Sequence, residues 1–270
     1  MNTLQVANGT LHYAVYGTGP PVLLLHGGGL DGRMWDPQVP ELAQTHCVVV
    51  PDARGHGHSS TPFAPFRHCD DVAVLIRHLD AGPAILIGLS MGAGTALDTA
   101  LEHPDLVRGV VVVGAGTSEP DFEDPWVLDL LDTWRRTAAA GDAEGWIEAF
   151  MLFAAGPKRR LEDMDDDVVR HLRQMVTRTV ANHVRPDAAA PEAVPDSWSR
   201  LAEIQVPVLA LSGALDTPDN IRMAARAADS VTDGRTALIR GAAHYPNLEQ
   251  PAAFNAELQA FLGSIPLRPV

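Results

Sequence analysis

A serine lies between two glycines at the point where an apolar segment gives way to a helical pattern. Gly88-Leu89-Ser90-Met91-Gly92 follows the apolar residues 83–87 and precedes residues 93–101, which have a helical composition. A Gly-x-Ser-x-Gly segment between a strand and a helix predicts a nucleophile elbow, a sharp turn that exposes the serine hydroxyl. Glycine at both positions lets the strand and the helix approach closely. The alternative is an ordinary glycine-rich turn, and partner groups elsewhere in the chain decide between the two.

Apolar runs and helical patterns alternate along most of the chain. After a predicted hairpin with its turn at Asn8-Gly9, apolar runs occur at residues 22–25, 48–50, 84–87, 110–113, 208–211 and 236–239. Continuous apolar runs are typical of strands that are buried on both faces. Helical patterns occur between them, at residues 37–44, 70–79, 91–102, 220–228 and 251–262. The alternation predicts an α/β fold with a doubly wound, mostly parallel sheet and an antiparallel edge.

One interval, residues 117–195, interrupts the alternation. It has no strand pattern and contains three helical stretches, at residues 126–140, 144–154 and 165–184. Acidic clusters precede these stretches, and we expect them to cap the helices because carboxylates are stabilised at helix N-termini. The interval therefore predicts a helical cap inserted into a core domain of residues 1–116 and 196–270.

A serine hydroxyl needs a base that takes its proton before it can attack a substrate. Among eleven histidines, His244 is the candidate because it follows the last predicted strand and precedes the last predicted helix. Ligands of doubly wound sheets bind at this carboxyl edge. Asp216, directly after the preceding predicted strand, is the candidate acid that orients the imidazole. Asp216 could instead cap the helix that follows it, and Asp219 is the alternative acid.

Acyl transfer also needs hydrogen-bond donors for a negatively charged oxygen. The backbone N–H of Met91 is one predicted donor, because it follows Ser90 at the start of a helix. The loop after the first buried strand reads His26-Gly27-Gly28-Gly29, which matches the HGGG type of oxyanion loop. Gly28 is the predicted second donor and Gly27 is the next choice, while a plain glycine turn is the alternative interpretation of this loop.

The order serine, acid, histidine resembles the α/β-hydrolase superfamily, and the likeness extends along nearly the whole chain. Residues 51–59, Pro-Asp-Ala-Arg-Gly-His-Gly-His-Ser, resemble the family's D-x-R-G-H-G-x-S segment. Residues 33–35 and 241–250 are most similar to small serine esterases, enol-lactonases of the 3-oxoadipate type and cofactor-free haloperoxidases or perhydrolases. The resemblance implies a catalytic triad of Ser90, Asp216 and His244 with neither a metal nor a cofactor. It also implies that the histidines at positions 26, 56 and 58 are structural.

The function implied is hydrolysis of a carboxylic ester or lactone of a small, largely apolar substrate through an acyl-enzyme on Ser90. One alternative is lyase, perhydrolase or haloperoxidase-type chemistry on the same triad. Another is a slow-turnover ligand-binding receptor on a hydrolase scaffold. Epoxide hydrolases and dehalogenases of this superfamily carry aspartate at the elbow, so the serine disfavours those reactions.

The residues expected to contact substrate come from the oxyanion loop, the cap and the histidine loop: Gly27, Trp126, Trp146, Phe150 and Tyr245. Six large apolar side chains occur at helical spacing in the cap: Trp126, Trp134, Trp146, Phe150, Met151 and Phe153. Because such residues usually belong to a core, we expect fewer than half of the six to line the pocket. Lys158 is the only lysine and the one available for a cationic role in the cap.

The formal net charge of −14 argues against nucleic acid and anionic membranes as partners, because phosphate would be repelled. No apolar run has the length of a bilayer span, and the first residues lack the pattern of a signal peptide. Two cysteines do not suggest a disulfide framework. We therefore expect a cytoplasmic enzyme whose partner is a small-molecule ester or lactone, with an oligomeric state that the sequence leaves open.

Overall fold

The computed structural model describes residues 2–266 as one eight-stranded sheet flanked by helices. The strands are β1 (Asn2–Val6), β2 (Gly9–Tyr16), β3 (Pro21–Leu25), β4 (Cys47–Asp52), β5 (Ala84–Leu89), β6 (Val107–Val113), β7 (Val208–Gly213) and β8 (Gly234–Ile239). The helices are α1 (Val39–Leu42), α2 (His68–Leu79), α3 (Met91–Glu102), α4 (Pro125–Ala140), α5 (Ala143–Ala155), α6 (Asp166–His183), α7 (Ser197–Arg200), α8 (Pro218–Asp229), α9 (Pro246–Glu249) and α10 (Pro251–Ser264). Met1 and residues 267–270, which belong to the predicted core domain, lie outside the described residues.

The strand order is β1-β2-β4-β3-β5-β6-β7-β8. β1 and β2 form the predicted hairpin, and Asn8 adopts a left-handed conformation with φ of 59° in its turn. β2 also pairs antiparallel with β4, whereas the later neighbours in the sheet pair parallel. The α/β fold with a mostly parallel sheet and an antiparallel edge is thereby confirmed.

Both faces of the sheet are covered by apolar side chains, which explains the continuous apolar runs. Successive residues of a strand point to opposite faces. In β5, Leu86 packs into the cluster on one face and Ile87 into the cluster on the other. In β6, Val110 and Val111 divide in the same way. Polar residues at any of these positions would be buried without partners.

The three helices α4, α5 and α6 lie between β6 and β7 in the chain, in the interval for which the sequence predicts a cap. Each begins at an aspartate whose carboxylate accepts backbone N–H groups of the first turn: Asp124, Asp142 and Asp165. α5 packs against both α4 and α6. The division of the chain into a core domain and a cap domain stays a prediction.

Parallel strands bring their carboxyl ends to one edge of the sheet, and the loops that follow β3, β5, β7 and β8 therefore lie close together. These loops carry the candidate residues Gly28, Ser90, Asp216 and His244. Within residues 2–266, no helix has both the length and the apolar character that a bilayer span requires.

Candidate active site

Ser90 lies in a strained turn between β5 and α3. Its φ of 54° and ψ of −114° fall outside the regions that residues other than glycine favour. Such a backbone conformation costs about 1–3 kcal/mol of folding free energy. A Cβ atom on Gly88 would overlap the carbonyl of Gly92, and one on Gly92 would overlap the carbonyl of Leu25. The Ser90 N–H donates to the Val113 carbonyl of β6 at 2.9 Å. Close backbone packing and this hydrogen bond hold the turn in its strained form.

His244 and Asp216 form a buried pair. The distance between His244 Nδ1 and Asp216 Oδ2 is 3.0 Å, and both side chains are almost fully buried. Asp216 Oδ1 accepts the N–H of Thr217 at 2.7 Å and the Asn220 side-chain amide at 2.8 Å. Because the carboxylate faces Nδ1, it favours the imidazole tautomer with the proton on that nitrogen. The other ring nitrogen, Nε2, has no hydrogen-bond partner within residues 2–266.

Gly114, at the end of β6, leaves room for this pair. Its φ is 60°, and a Cβ atom there would lie 3.1 Å from both Asp216 Oδ2 and His244 Nδ1. Glycine supplies the conformation and the space at the same position.

The alternative acid, Asp219, bonds elsewhere. Its carboxylate accepts the N–H groups of Glu123 at 2.8 Å and Asp124 at 2.7 Å, just before α4. Thr217 caps α8 by accepting the Asn220 N–H at 3.1 Å, so the capping role considered for Asp216 belongs to its neighbour.

The glycine loop after β3 leaves one N–H group free. Gly27 donates its N–H to Met34 Sδ at 3.2 Å, and Gly29 donates its N–H to His56 Nε2 at 3.1 Å. Neither the Gly28 N–H nor the Met91 N–H has an acceptor among the described residues. A Cβ atom on Gly28 would lie 3.8 Å from Met91 Cβ, so the two free donors belong to neighbouring residues. The geometry favours Gly28 over Gly27 as the second donor.

Two histidines brace this loop. His26 Nε2 accepts the Ala53 N–H at 2.9 Å, and its Nδ1 lies 2.9 Å from the Gly27 carbonyl. His56 Nε2 accepts the Gly29 N–H while Nδ1 lies 3.1 Å from the carbonyl of Arg54. Burial lowers the pKa of His56 well below its usual value, and the nearby His26 and His68 add to the effect. His56 is therefore neutral, as its acceptor role requires.

A cavity of about 420 Å³ adjoins Ser90 and His244. Its aromatic lining consists of Phe122, Trp134, Trp146, Phe150, Phe153 and Tyr245. Trp146, Phe150 and Tyr245 were expected to contact substrate, and they lie on the cavity wall. Trp126 and Gly27 are not among the lining residues within 2–266; Trp126 packs in an apolar cluster between α4 and α5.

The expectation that fewer than half of the six large cap residues line the pocket was wrong. Four do so: Trp134, Trp146, Phe150 and Phe153. The physical reason is that α4 and α5 turn one aromatic face toward the carboxyl edge of the sheet. The Phe153 ring, for example, meets the His244 imidazole edge-on at 4.6 Å between ring centres.

Asn220 is a residue of the site that the sequence analysis missed. Its amide nitrogen bonds Asp216 and lies 3.1 Å from His244 Nδ1. Its position could have indicated this role, because it lies four residues after Asp216, in the first turn of α8.

A family model described as the alpha/beta hydrolase fold matches residues 20–251. The chain belongs to the α/β-hydrolase family. This α/β hydrolase is 30% identical to the pimeloyl-[acyl-carrier protein] methyl ester esterase of Vibrio atlanticus, over 93% of this chain and 98% of that protein. It is 26% identical to the 3-oxoadipate enol-lactonase 2 of Acinetobacter baylyi, over 97% of this chain and 96% of the relative.

The solved structure of a thermophilic esterase from Thermogutta terrifontis superposes on the α/β hydrolase with a TM-score of 0.77 and 26% identity. The match covers 98% of this chain and 99% of the other. Together the comparisons support an enzyme that hydrolyses ester bonds.

We predict that acid destabilises the α/β hydrolase through His56. Because the pKa of His56 is lower in the folded than in the unfolded state, its stabilising effect is complete above about pH 6.5 and is lost as the pH falls. The free energy of unfolding should decrease by up to about 1.4 kcal/mol per pH unit for this group. Urea denaturation at a series of pH values measures the slope. His56→Gln, which cannot be protonated, should show a shallower slope; an equal slope would contradict the prediction.

Proposed function

We propose that the protein is a serine hydrolase that cleaves a carboxylic ester or lactone of a small, largely apolar substrate through an acyl-enzyme on Ser90. The observation that carries the proposal is the arrangement of His244. Its Nδ1 is held by Asp216, whereas its Nε2 has no partner among the described residues and the ring lines the same cavity as Ser90.

In the proposed reaction, Ser90 Oγ attacks the ester carbonyl carbon while His244 Nε2 accepts the serine proton. Asp216 stabilises the imidazolium that forms. The N–H groups of Gly28 and Met91 donate to the carbonyl oxygen as it becomes negative, and each such donor is worth about 10²–10³ in rate. The leaving alkoxide takes the proton from His244. Water then attacks the acyl-enzyme by the same steps and releases the acid.

The cavity supports an apolar substrate without a carboxylate. Its wall is mostly aromatic and aliphatic, and within the described residues no lysine or arginine lines it. Lys158, the cation considered for the cap, is exposed and donates to the Ala214 carbonyl at 3.3 Å. One relative is named for an enol-lactone of 3-oxoadipate, and this wall would not neutralise a carboxylate on such a substrate. We therefore favour neutral or cationic esters and lactones over anionic ones.

We predict that Ser90→Ala abolishes turnover of p-nitrophenyl butyrate, because alanine offers no nucleophile. The loss in kcat should be on the order of 10⁴-fold or more. Release of p-nitrophenol measures the rate, and circular dichroism checks that the variant folds. The wild-type protein should release many equivalents per chain, which a slow receptor would not. A folded Ser90→Ala variant that hydrolyses the ester at the wild-type rate would refute the proposal.

Two isosteric variants distinguish the candidate acids. Asp216→Asn should lower kcat on the order of 10⁴-fold, because the amide no longer favours the imidazole tautomer with the proton on Nδ1. Asp219→Asn removes a buried carboxylate of the same helix region and serves as the matched control, with a much smaller effect on kcat. Both are assayed on the same ester. If Asp219→Asn were the more damaging change, Asp216 would not be the acid of the proposed triad.

A further inference from the structure

The cavity continues away from Ser90 along α3. Met91, Thr95 and Asp98 all line it, and their spacing places them on one face of the helix. Seven residues of helical rise separate Met91 from Asp98, which is about 10 Å along the axis. Asp98 therefore lines the cavity about 10 Å further along α3 than Met91, the residue that follows the serine.

Asp98 is a buried carboxylate without a cationic partner. Its residue is 4% exposed, and its Oδ1 has no hydrogen-bond partner among residues 2–266. Burial raises the pKa of Asp98 to about 6, partly offset by the Ser118 hydroxyl. Leaving a buried polar group unpaired destabilises the fold, and a charged group does so more strongly.

The other buried aspartates of the described chain all have partners. Asp31, Asp71 and Asp219 pair with arginines, Asp216 pairs with His244, and Asp52 accepts two backbone N–H groups. Asp98 differs from Asp31, Asp71, Asp216 and Asp219 in that no arginine or histidine among the described residues pairs with it, and its Oδ1 accepts no hydrogen bond.

The surroundings of Asp98 in the cavity supply no positive charge. His68 lines the same cavity, but burial, together with the nearby His26 and Arg54, lowers its pKa to about 3, so its imidazole is neutral. The exposed side chain of Glu192, which also lines the cavity, would add a negative charge.

We propose that Asp98 is a specificity-determining residue that receives a protonated amine at the far end of the substrate, about 10 Å along α3 from the helix end that follows Ser90. The substrate class is an ester or lactone whose chain ends in an ammonium group. The apolar wall contacts the intervening chain, and the ammonium donates to the Asp98 carboxylate, which lines the cavity. The inference rests on the proposed function, because it takes Ser90 as the point where the ester is cleaved.

Matched pairs of substrates test the inference. One series contains p-nitrophenyl esters of ω-aminoalkanoic acids, each paired with the alkanoic ester of the same chain length. A second series carries the amine in the alcohol part of a butyrate ester. A hydrogen bond to a charged group predicts that the wild-type enzyme favours the amine by about 10- to 100-fold in kcat/KM at the matching length of one series.

Asp98→Asn keeps the shape of the side chain and removes its charge. This variant should reduce the amine preference to about one, and Asp98→Leu should reverse it because the site becomes apolar. Asp105→Asn removes an exposed carboxylate just beyond α3 and is the matched control; it should keep the wild-type preference.

The outcomes separate the two proposals. If hydrolysis depends on Ser90 but neither series shows an amine preference, or if Asp98→Asn keeps it, the inference about Asp98 is overturned while the proposed function stands. If Ser90→Ala hydrolyses the esters like the wild type, the proposed function itself fails.

Discussion

The close approach of β5 and α3 sets the geometry on which the rest of the site depends. At Gly88 and Gly92 the strand and helix backbones are in direct contact, and this contact restricts the backbone conformation of the turn between them. In this conformation Ser90 has a positive φ and lies at the carboxyl edge of the sheet. A side chain at either glycine would push the helix away, and the helix N-terminus that follows Ser90 would lose its position.

Around this turn, backbone groups and imidazole side chains define the site through hydrogen bonds. His26 holds the glycine loop by donating from Nδ1 to the Gly27 carbonyl, and His56 holds it by accepting the Gly29 N–H at Nε2; together they keep Gly28 next to Met91. In the buried pair of His244 and Asp216, both oxygens of the carboxylate have hydrogen-bond partners. Such a network keeps the imidazole in one orientation, because any rotation would leave the carboxylate under-satisfied.

The fold, and the placement of three candidate residues at the carboxyl edge of the sheet, could be predicted because each signal is local. Ser90, Asp216 and His244 follow apolar runs directly, and parallel strands must bring their carboxyl ends together. The cavity wall could not be predicted in this way. Trp134 and Trp126 lie in the same amphipathic helix, yet only the first lines the cavity, since the packing of α4 on α5 decides which face turns inward. Asp98 belongs to no sequence motif, and the role proposed for it could be inferred only from its burial without a cationic partner.

Covalent labelling tests most directly whether Ser90 is the residue that becomes acylated. The protein is treated with an alkyl fluorophosphonate, which reacts with activated serines, and the site is found by peptide mass spectrometry. We expect a single adduct on the peptide that contains Ser90, formed much more slowly in His244→Ala because the serine has lost its base. An adduct on another residue, or continued ester hydrolysis after Ser90 is fully labelled, would contradict the role proposed for this serine.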